Sequence, residues 1–169
     1  MKNIRIAAFS VLVLVCLTTM FVRIPLPSRG YFNVGDVAVV FGGLLLGFMS
    51  PRKGVFWALG AAGLGSALAD ILGGFAIFAP LTFAAKGIEG TLAAWAASRQ
   101  GATKILFLAV GGVMMVTIYF VGETLMPNIG LQGAIPEIFP NLVQAVGGGL
   151  GGAFAVKAMQ KTGFLHAVE

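Results

Sequence analysis

The sequence is poor in charged residues. Only 10% of its 169 residues are Asp, Glu, Lys or Arg, whereas 58% are hydrophobic and the mean hydropathy is +0.96. A soluble domain typically has about 25% charged residues, which cover its surface. A chain with so few charges cannot present a wettable exterior, so lipid must contact much of it. The composition therefore predicts an integral membrane protein.

Cysteine and histidine are almost absent, which limits the chemistry. The single cysteine, Cys16, excludes a disulfide within the chain, and the single histidine, His166, stands near the C-terminus. No P-loop, nucleophile elbow or His/Cys cluster with metal-ligand spacing occurs. We therefore expect no catalytic residue, metal or cofactor. Since the chain cannot hydrolyse ATP itself, active transport would need a partner or an ion gradient.

The chain contains six apolar runs, separated by proline, glycine and charged residues. About 20 residues cross a bilayer as a helix, so the runs predict one all-α domain, residues 1–169, with six transmembrane helices. The first run follows Lys2 and Arg5 like a signal peptide, but it is long and lacks a small-residue cleavage site, so we expect it to be retained. A loop with Gly130, Gly133 and Pro136 should precede the last helix. The predicted spans are 4–22, 35–50, 54–72, 80–98, 104–125 and 137–159.

The basic residues predict the orientation, because cytoplasmic loops retain Lys and Arg. With six spans, only Arg23 and Arg29 fall on one side of the membrane. Both termini are therefore expected in the cytoplasm, on the side with eight basic residues: Lys2, Arg5, Arg52, Lys53, Arg99, Lys104, Lys157 and Lys161.

Small residues recur four positions apart in three of the predicted spans. Such spacing forms a groove that lets helix backbones approach closely in lipid. Packing within the chain is the favoured interpretation, although a docking face for another protein is compatible with it. The residues are Gly43 and Gly47, then Ala61, Gly65 and Ala69, and finally Gly147, Gly148, Gly151 and Gly152.

The polar residues inside the spans lie on one side of the predicted membrane. Ionisable groups in a span cost about 2.5–3.5 kcal/mol on insertion scales, so each needs a reason. A channel or proton relay would distribute them through the full depth. One-sided placement instead predicts a cup that opens outwards and is sealed towards the cytoplasm. The candidate substrate-binding residues in the spans are Asp36, Asp70, Thr82, Lys86, Glu89, Tyr119, Glu123, Asn141 and Gln144.

Several of these residues have a structural alternative. Thr82, Lys86 and Glu89 share one helix face, where Lys86 and Glu89 could form only an internal salt bridge. The amides of Asn141 and Gln144 could simply bond a neighbouring helix, and Tyr119 could be an ordinary core residue.

The outer segment before the second span contains two more candidates, Tyr31 and Asn33. Tyr31, with Phe32, would cover a flat ligand while Asn33 reads its polar edge. Either Asn33 or Asp36 could instead cap the second helix. Asp36 is interpreted first as this cap and only second as a ligand contact, whereas Asn33 is interpreted first as a ligand contact.

Four short motifs resemble the substrate-binding S components of energy-coupling factor (ECF) vitamin transporters. Within that superfamily the chain is similar to the branch of hydroxymethylpyrimidine, pyridoxine and riboflavin-type carriers. The resemblance extends over nearly the whole chain. The motifs are Tyr31-Phe32-Asn33-Val34-Gly35-Asp36, Gly65-Ser66-Ala67-Leu68-Ala69-Asp70, Ala79-Pro80-Leu81-Thr82 and Lys86-Gly87-Ile88-Glu89-Gly90.

The resemblance implies a six-helix component of a prokaryotic cell membrane that captures a vitamin or precursor from outside. It would deliver its ligand through a membrane T component and two ATPase subunits. The family's small-residue docking motif is imperfect here, and Ala7, Ala8 and Val11 are its nearest counterparts. A cup with acids, one lysine and amides favours hydroxymethylpyrimidine or pyridoxine, while riboflavin and thiamine stay possible.

Two other functions remain open at this stage. A solitary secondary transporter could couple to protons through Asp70, Glu89 or Glu123, but the apolar inner half argues against it. A small enzyme acting on lipid headgroups would need a carboxylate cluster with a metal. The acids here stand one per helix and on the outer side, which disfavours that hypothesis.

Overall fold

The computed structural model describes residues 2–26 and 30–162, so Arg29 and His166 lie outside the described residues. The described part is mostly helical, as predicted. It contains six α-helices, a two-stranded hairpin and one short 3₁₀ turn, Ala76–Phe78. The helices are α1 (Lys2–Phe21), α2 (Gly35–Met49), α3 (Lys53–Leu72), α4 (Ala79–Ala97), α5 (Gly101–Leu125) and α6 (Gly130–Lys161).

Four of these helices are long and apolar enough to cross a membrane: α1, α3, α5 and α6. Helix α2 is apolar but has only 15 residues. Helix α4 has 19 residues and contains the buried polar side chains of Thr82, Lys86 and Glu89. The count of six spans therefore stays a prediction, although six helices are present in the described ranges.

The predicted start of the last helix is wrong. Helix α6 begins at Gly130, whose φ of 62° is in the left-handed region that glycine tolerates, and it continues for 32 residues. The expected loop over 130–136 is thus helical, and Pro136 and Pro140 lie inside the helix. A proline removes one backbone hydrogen bond, but in membrane helices neighbouring groups and local adjustments compensate for it.

The helices form a bundle in which successive elements run in opposite directions. Helix α4 packs against α2, α3 and α5, while α6 packs against α2 and α5, and α1 against α2 and α3. One end of the bundle, which we call the hairpin end, has the hairpin between α1 and α2 and the 3₁₀ turn between α3 and α4. The other, the basic end, has the connections at 50–52 and 98–100.

The hairpin is a feature that the sequence patterns did not indicate. Strands β1 (Arg23–Pro25) and β2 (Tyr31–Asn33) pair antiparallel, with Arg23 opposite Asn33 and Pro25 opposite Tyr31. Three residues per strand are too few to show an alternating pattern. The hairpin places Tyr31 and Asn33 beside the ends of the helices.

Glycine lets the helices approach closely, as the spacing predicted. A Cβ atom on Gly43 would lie 2.7 Å from the Cβ of Ala93 and would collide with the carbonyl of Gly90. Gly65 faces the Leu12 carbonyl of α1 in the same way, with 2.7 Å for such a Cβ. On α6, Gly148 faces Asp36, whereas Gly147 has nothing within 4 Å. Most of these small residues therefore pack within the chain.

The exterior of the bundle is apolar. Large side chains such as Phe9, Phe56 and Phe154 are more than two-thirds exposed. In water such a surface would be an aggregation hazard, whereas lipid solvates it.

The three predicted docking residues differ in exposure. Ala8 and Val11 are only 4% and 3% exposed, because they belong to the core between α1, α2 and α3. Ala7 is partly exposed, and it lines a groove between α1, α2 and α6 together with Val11. Docking of a partner at these residues therefore stays a prediction.

Candidate functional site

The buried polar side chains of the described ranges lie between the hairpin end and the middle of the bundle, where Glu89 stands near the centre of α4. This placement agrees with the one-sided distribution read from the sequence. The side chains that are less than a tenth exposed are Thr19, Asn33, Asp36, Ser66, Asp70, Thr82, Lys86, Glu89, Glu123, Glu137, Asn141 and Gln144.

Lys86 is the central cation of this half. Its Nζ donates to Asp36 Oδ1 of α2 and lies 3.8 Å from Glu89 Oε2, one turn further along α4. It also lies 5.4 Å from the ring centroid of Tyr119. Asp36, Lys86 and Glu89 are each at most 3% exposed. Burial of such charges is tolerable only because they compensate one another.

The interpretation of Asp36 as a helix cap is wrong. The N-cap of α2 is Val34, no side chain caps that terminus, and Asp36 lies inside the first turn. Asn33 takes over part of this role, since its Oδ1 accepts a hydrogen bond of 2.7 Å from the Gly35 amide. The carboxylate of Asp36 instead accepts a hydrogen bond from the Lys86 ammonium group. This charge-assisted bond is stronger than the bond to a backbone amide that a helix cap would make.

The hairpin is fastened to α3 through Tyr31. Its hydroxyl donates to Asp70 Oδ1, and its ring lies 4.6 Å from that of Phe75. The guanidinium of Arg23 lies 4.5 Å from the Tyr31 centroid and donates to the Ala69 carbonyl at 3.0 Å. Burial, and then the nearby Asp70 carboxylate, raises the pKa of the Tyr31 phenol. The phenol therefore stays protonated and can donate to Asp70.

Amide side chains of α6 hold the other side of the hairpin. The backbone N–H of Asn33 donates to Gln144 Oε1 at 2.6 Å, and Gln144 Nε2 donates to Asn141 Oδ1 at 3.1 Å. A further bond joins α5 and α4, from the hydroxyl of Tyr119 to Thr82 Oγ1 at 3.1 Å. Among the described residues, these bonds of the two amides thus go to the hairpin and within α6, and not to a neighbouring helix as their structural alternative had it.

These groups surround a small cavity beneath the hairpin, with a volume of about 30 Å³. That is space for roughly one or two water molecules. Three buried side-chain oxygens on its wall have no hydrogen-bond partner within the described part of the chain: Ser66 Oγ, Asp70 Oδ2 and Glu123 Oε2. Unpaired buried polar atoms are costly. The two carboxylate oxygens can accept hydrogen bonds from a ligand, and the Ser66 hydroxyl can donate or accept one.

Nine of the eleven predicted substrate-binding residues line this cavity. Asp36 and Glu89 do not, because both lie behind Lys86 and contact its ammonium group. The nine are Tyr31, Asn33, Asp70, Thr82, Lys86, Tyr119, Glu123, Asn141 and Gln144.

Five lining residues were missed from the sequence: Thr19, Gly30, Ser66, Phe78 and Glu137. A signal existed for Glu137. It precedes Asn141 by four positions and Gln144 by seven, which is the spacing that placed Thr82, Lys86 and Glu89 on one helix face. The predicted start of the last span at 137 hid it, since a residue at a helix terminus is expected to be solvated.

The acids do not form a metal site. Within 2–26 and 30–162, no three His, Cys, Asp or Glu side chains are placed so that they could hold a metal ion. The geometry therefore gives no support to the metal-dependent enzyme hypothesis.

Two comparisons with known proteins bear on this arrangement. Residues 1–161 match the family described as "ECF-type riboflavin transporter, S component". A protein of Pyrococcus woesei, described as an uncharacterized protein in the gap 3' region, is 39% identical over 147 residues. That match covers 81% of this chain and 91% of the relative.

Proposed function

The chain belongs to the ECF-type riboflavin transporter S component family, and from this premise we propose that it captures a small vitamin or vitamin precursor at the hairpin end. Membership makes it a multi-pass membrane protein and the substrate-binding component of a transporter, not an enzyme. The hairpin end faces the outside in this proposal, with six helices in the membrane and both termini in the cytoplasm of a prokaryotic cell.

The observation that carries the proposal is the polar cavity itself. It is buried, lies at one end only, and is lined by residues from the hairpin and all helices except α2. Towards the basic end, the described core between α2, α3 and α4 consists of small and apolar residues. A site of this form can hold a ligand on one side of the membrane, but it offers no continuous polar path to the other side.

The wall favours a ring that presents several hydrogen-bond donors. Asp70 and Glu123 each direct one unpaired carboxylate oxygen to the cavity region, and Lys86 supplies the opposite charge. A site built to bond polar groups rejects analogues that lack them. Because the cavity is small, the wall must widen on binding, and a one-ring ligand requires the least widening. We therefore favour hydroxymethylpyrimidine or pyridoxine over riboflavin or thiamine.

Calorimetric titration of the purified protein with these four compounds tests the capture function. We expect saturable binding of at least one, with the one-ring ligands tightest. The Glu123→Gln variant should bind it more weakly, whereas Thr117→Val, which changes an exposed residue of the same helix, should not. If none of the four bound, the proposal for the substrate would fail. If Glu123→Gln bound normally, the cavity would not be the binding site.

Uptake is proposed to require a T component and two ATPase subunits. Proteoliposomes that contain the S component alone should therefore accumulate no ligand, and addition of the other subunits with ATP should start uptake. The alternative is a solitary proton-coupled transporter. Uptake by this chain alone that an uncoupler abolishes would establish that alternative and overturn the proposed partnership.

The orientation can be tested because Cys16 is the only cysteine. In a Cys16→Ala background, Gly74→Cys marks the hairpin end and Ser98→Cys the basic end. An impermeant maleimide added to intact cells should label only Gly74→Cys. Labelling of Ser98→Cys alone would reverse the proposed orientation.

A further inference from the structure

A second pocket lies at the basic end, at the opposite end of the bundle from the cavity beneath the hairpin. It has a volume of about 800 Å³ and is formed where the end of α2, the connection between α4 and α5, and the end of α6 meet. Phe48, Pro51 and Ala97 contribute apolar walls. Three basic side chains, Arg99, Lys104 and Lys157, line the same pocket.

Within 2–26 and 30–162, these three cations have no acidic counterpart nearby. The described chain has five acidic residues, and all of them belong to the buried set at the hairpin half: Asp36, Asp70, Glu89, Glu123 and Glu137. The ion pairs of Lys86 do not involve the cations of this pocket. The pocket at the basic end is therefore strongly positive, and nothing in the described chain neutralises it.

Aromatic rings hold two of the cations in place. The ammonium of Lys104 lies 5.4 Å from the ring centroid of Phe48, and the guanidinium of Arg99 lies 6.0 Å from that of Phe107. Contacts of this kind orient a cation without cancelling its charge. Arg99 and Lys157 are exposed and Lys104 is half-buried, so an incoming anion can reach them.

We propose that this basic pocket binds the phosphate headgroup of an anionic phospholipid. Basic pockets between membrane helices are suited to such headgroups, because the cations meet the phosphate while apolar walls meet the acyl chains. The guanidinium of Arg99 can donate two parallel hydrogen bonds to phosphate oxygens, and the ammonium groups of Lys104 and Lys157 attract the phosphate as point charges. The inference rests on the multi-pass membrane location of the family and not on the identity of the captured ligand.

The general tendency of cytoplasmic loops to retain Lys and Arg explains basic residues at this end, but not their convergence on one pocket. The same end provides an internal comparison. Arg52, Lys53 and Lys161 are exposed there and do not line the pocket. A surface effect would depend on all the cations of this end alike, whereas a site depends on three of them.

Tryptophan fluorescence offers a local measurement. Trp95 lies next to Phe107, with ring centroids 6.3 Å apart, and a Trp57→Phe substitution leaves it as the only tryptophan. In this background the protein is reconstituted in zwitterionic bilayers that contain increasing fractions of brominated anionic phospholipid, whose bromines quench nearby indoles. We expect half-maximal quenching at a lower lipid fraction than with brominated zwitterionic phospholipid. The preference is the ratio of the two lipid fractions at half-maximal quenching. In the triple variant Arg99→Gln, Lys104→Gln, Lys157→Gln this ratio should fall by roughly tenfold or more.

The matched control is the triple variant Arg52→Gln, Lys53→Gln, Lys161→Gln, which removes the same charge from the same end. It should retain the preference, and both triple variants should retain their helical circular dichroism and their titration with the vitamin panel. Equal loss in the two triples, or no loss in the first, would overturn the proposal.

If millimolar inorganic phosphate or glycerol 3-phosphate removed the preference, the pocket would be a site for soluble phosphate, and the lipid proposal would be wrong. Loss of T-component copurification by the first triple, without a change in quenching, would overturn it in favour of a protein contact.

Discussion

The hairpin half and the basic half of the bundle are built on opposite principles. In the hairpin half, twelve polar or charged side chains are buried, and several of their atoms find no partner within the described chain. In the basic half the interior is apolar, small residues bring the helices into close contact, and the charges stay at the rim. In our proposal the hairpin half widens around a ligand, whereas the interior of the basic half keeps the helices together.

This difference indicates which half of the bundle stabilises the fold. Buried charges contribute little net stability even when they are paired, because desolvation offsets their attraction. Close helix packing, in contrast, is the main attraction between helices in lipid. The basic half should therefore stabilise the bundle, and the hairpin half should lose stability mainly when its charge balance is disturbed.

The largest effect is expected from removal of the central cation. Lys86→Met leaves Asp36 and Glu89 buried without compensation, which costs about 3–5 kcal/mol in comparable buried pairs. Thermal unfolding in detergent should show a large fall in Tm. Lys53→Met, at an exposed position of the basic end, should leave the Tm unchanged. The double variant Lys86→Met, Asp36→Asn should recover part of the loss. A Tm for Lys86→Met equal to that of the parent would show that these carboxylates need no cation.

The sequence predicted the six helices and the one-sided polar set because both depend on composition along single helices. Hydropathy locates helices in lipid, and Thr82, Lys86 and Glu89 reveal a face by their spacing alone. Prediction from the sequence failed where the role of a residue depends on contacts between separate helices. Asp36 is typical of a cap by its position, but a lysine 50 residues away binds it. For Ala8 and Val11, which resemble a docking motif, packing within the bundle decided how much of each side chain is exposed, and their contact with a partner stays a prediction.

The second prediction concerns the closely packed half. Gly43→Val should force α2 away from α4, because the new side chain meets the Gly90 carbonyl and the Ala93 methyl. Overpacking typically costs roughly 1–3 kcal/mol. Gly60→Val is the matched control, since nothing lies within 4 Å of that position and the change in helix propensity is the same. Equal unfolding temperatures for the two variants would contradict the assignment of stability to this half.

The third prediction separates two carboxylates of the hairpin half. Asp70 lines the cavity and holds Tyr31, whereas Glu89 lies behind Lys86. Asp70→Asn should weaken ligand binding by roughly tenfold, because hydrogen bonds to charged groups contribute about 1.5–3 kcal/mol. Glu89→Gln should reduce ligand affinity less. Calorimetric titration with the best ligand of the vitamin panel measures both. A greater loss for Glu89→Gln would place the ligand deeper in the bundle than the cavity.

The smallest expected effect concerns the bond that fastens the hairpin to α3. Tyr31→Phe removes the hydroxyl that donates to Asp70 but keeps the ring on Phe75 and beneath Arg23. A typical hydrogen bond contributes about 0.5–1.5 kcal/mol, so the ligand should dissociate a few-fold faster while the Tm changes little. Stopped-flow displacement with excess unlabelled ligand measures the rate, and Phe32→Leu on the same strand is the control. If dissociation were unchanged and the Tm fell instead, the hairpin would belong to the stabilising part of the bundle. The division into a rearranging half and a stabilising half would then have to exclude it.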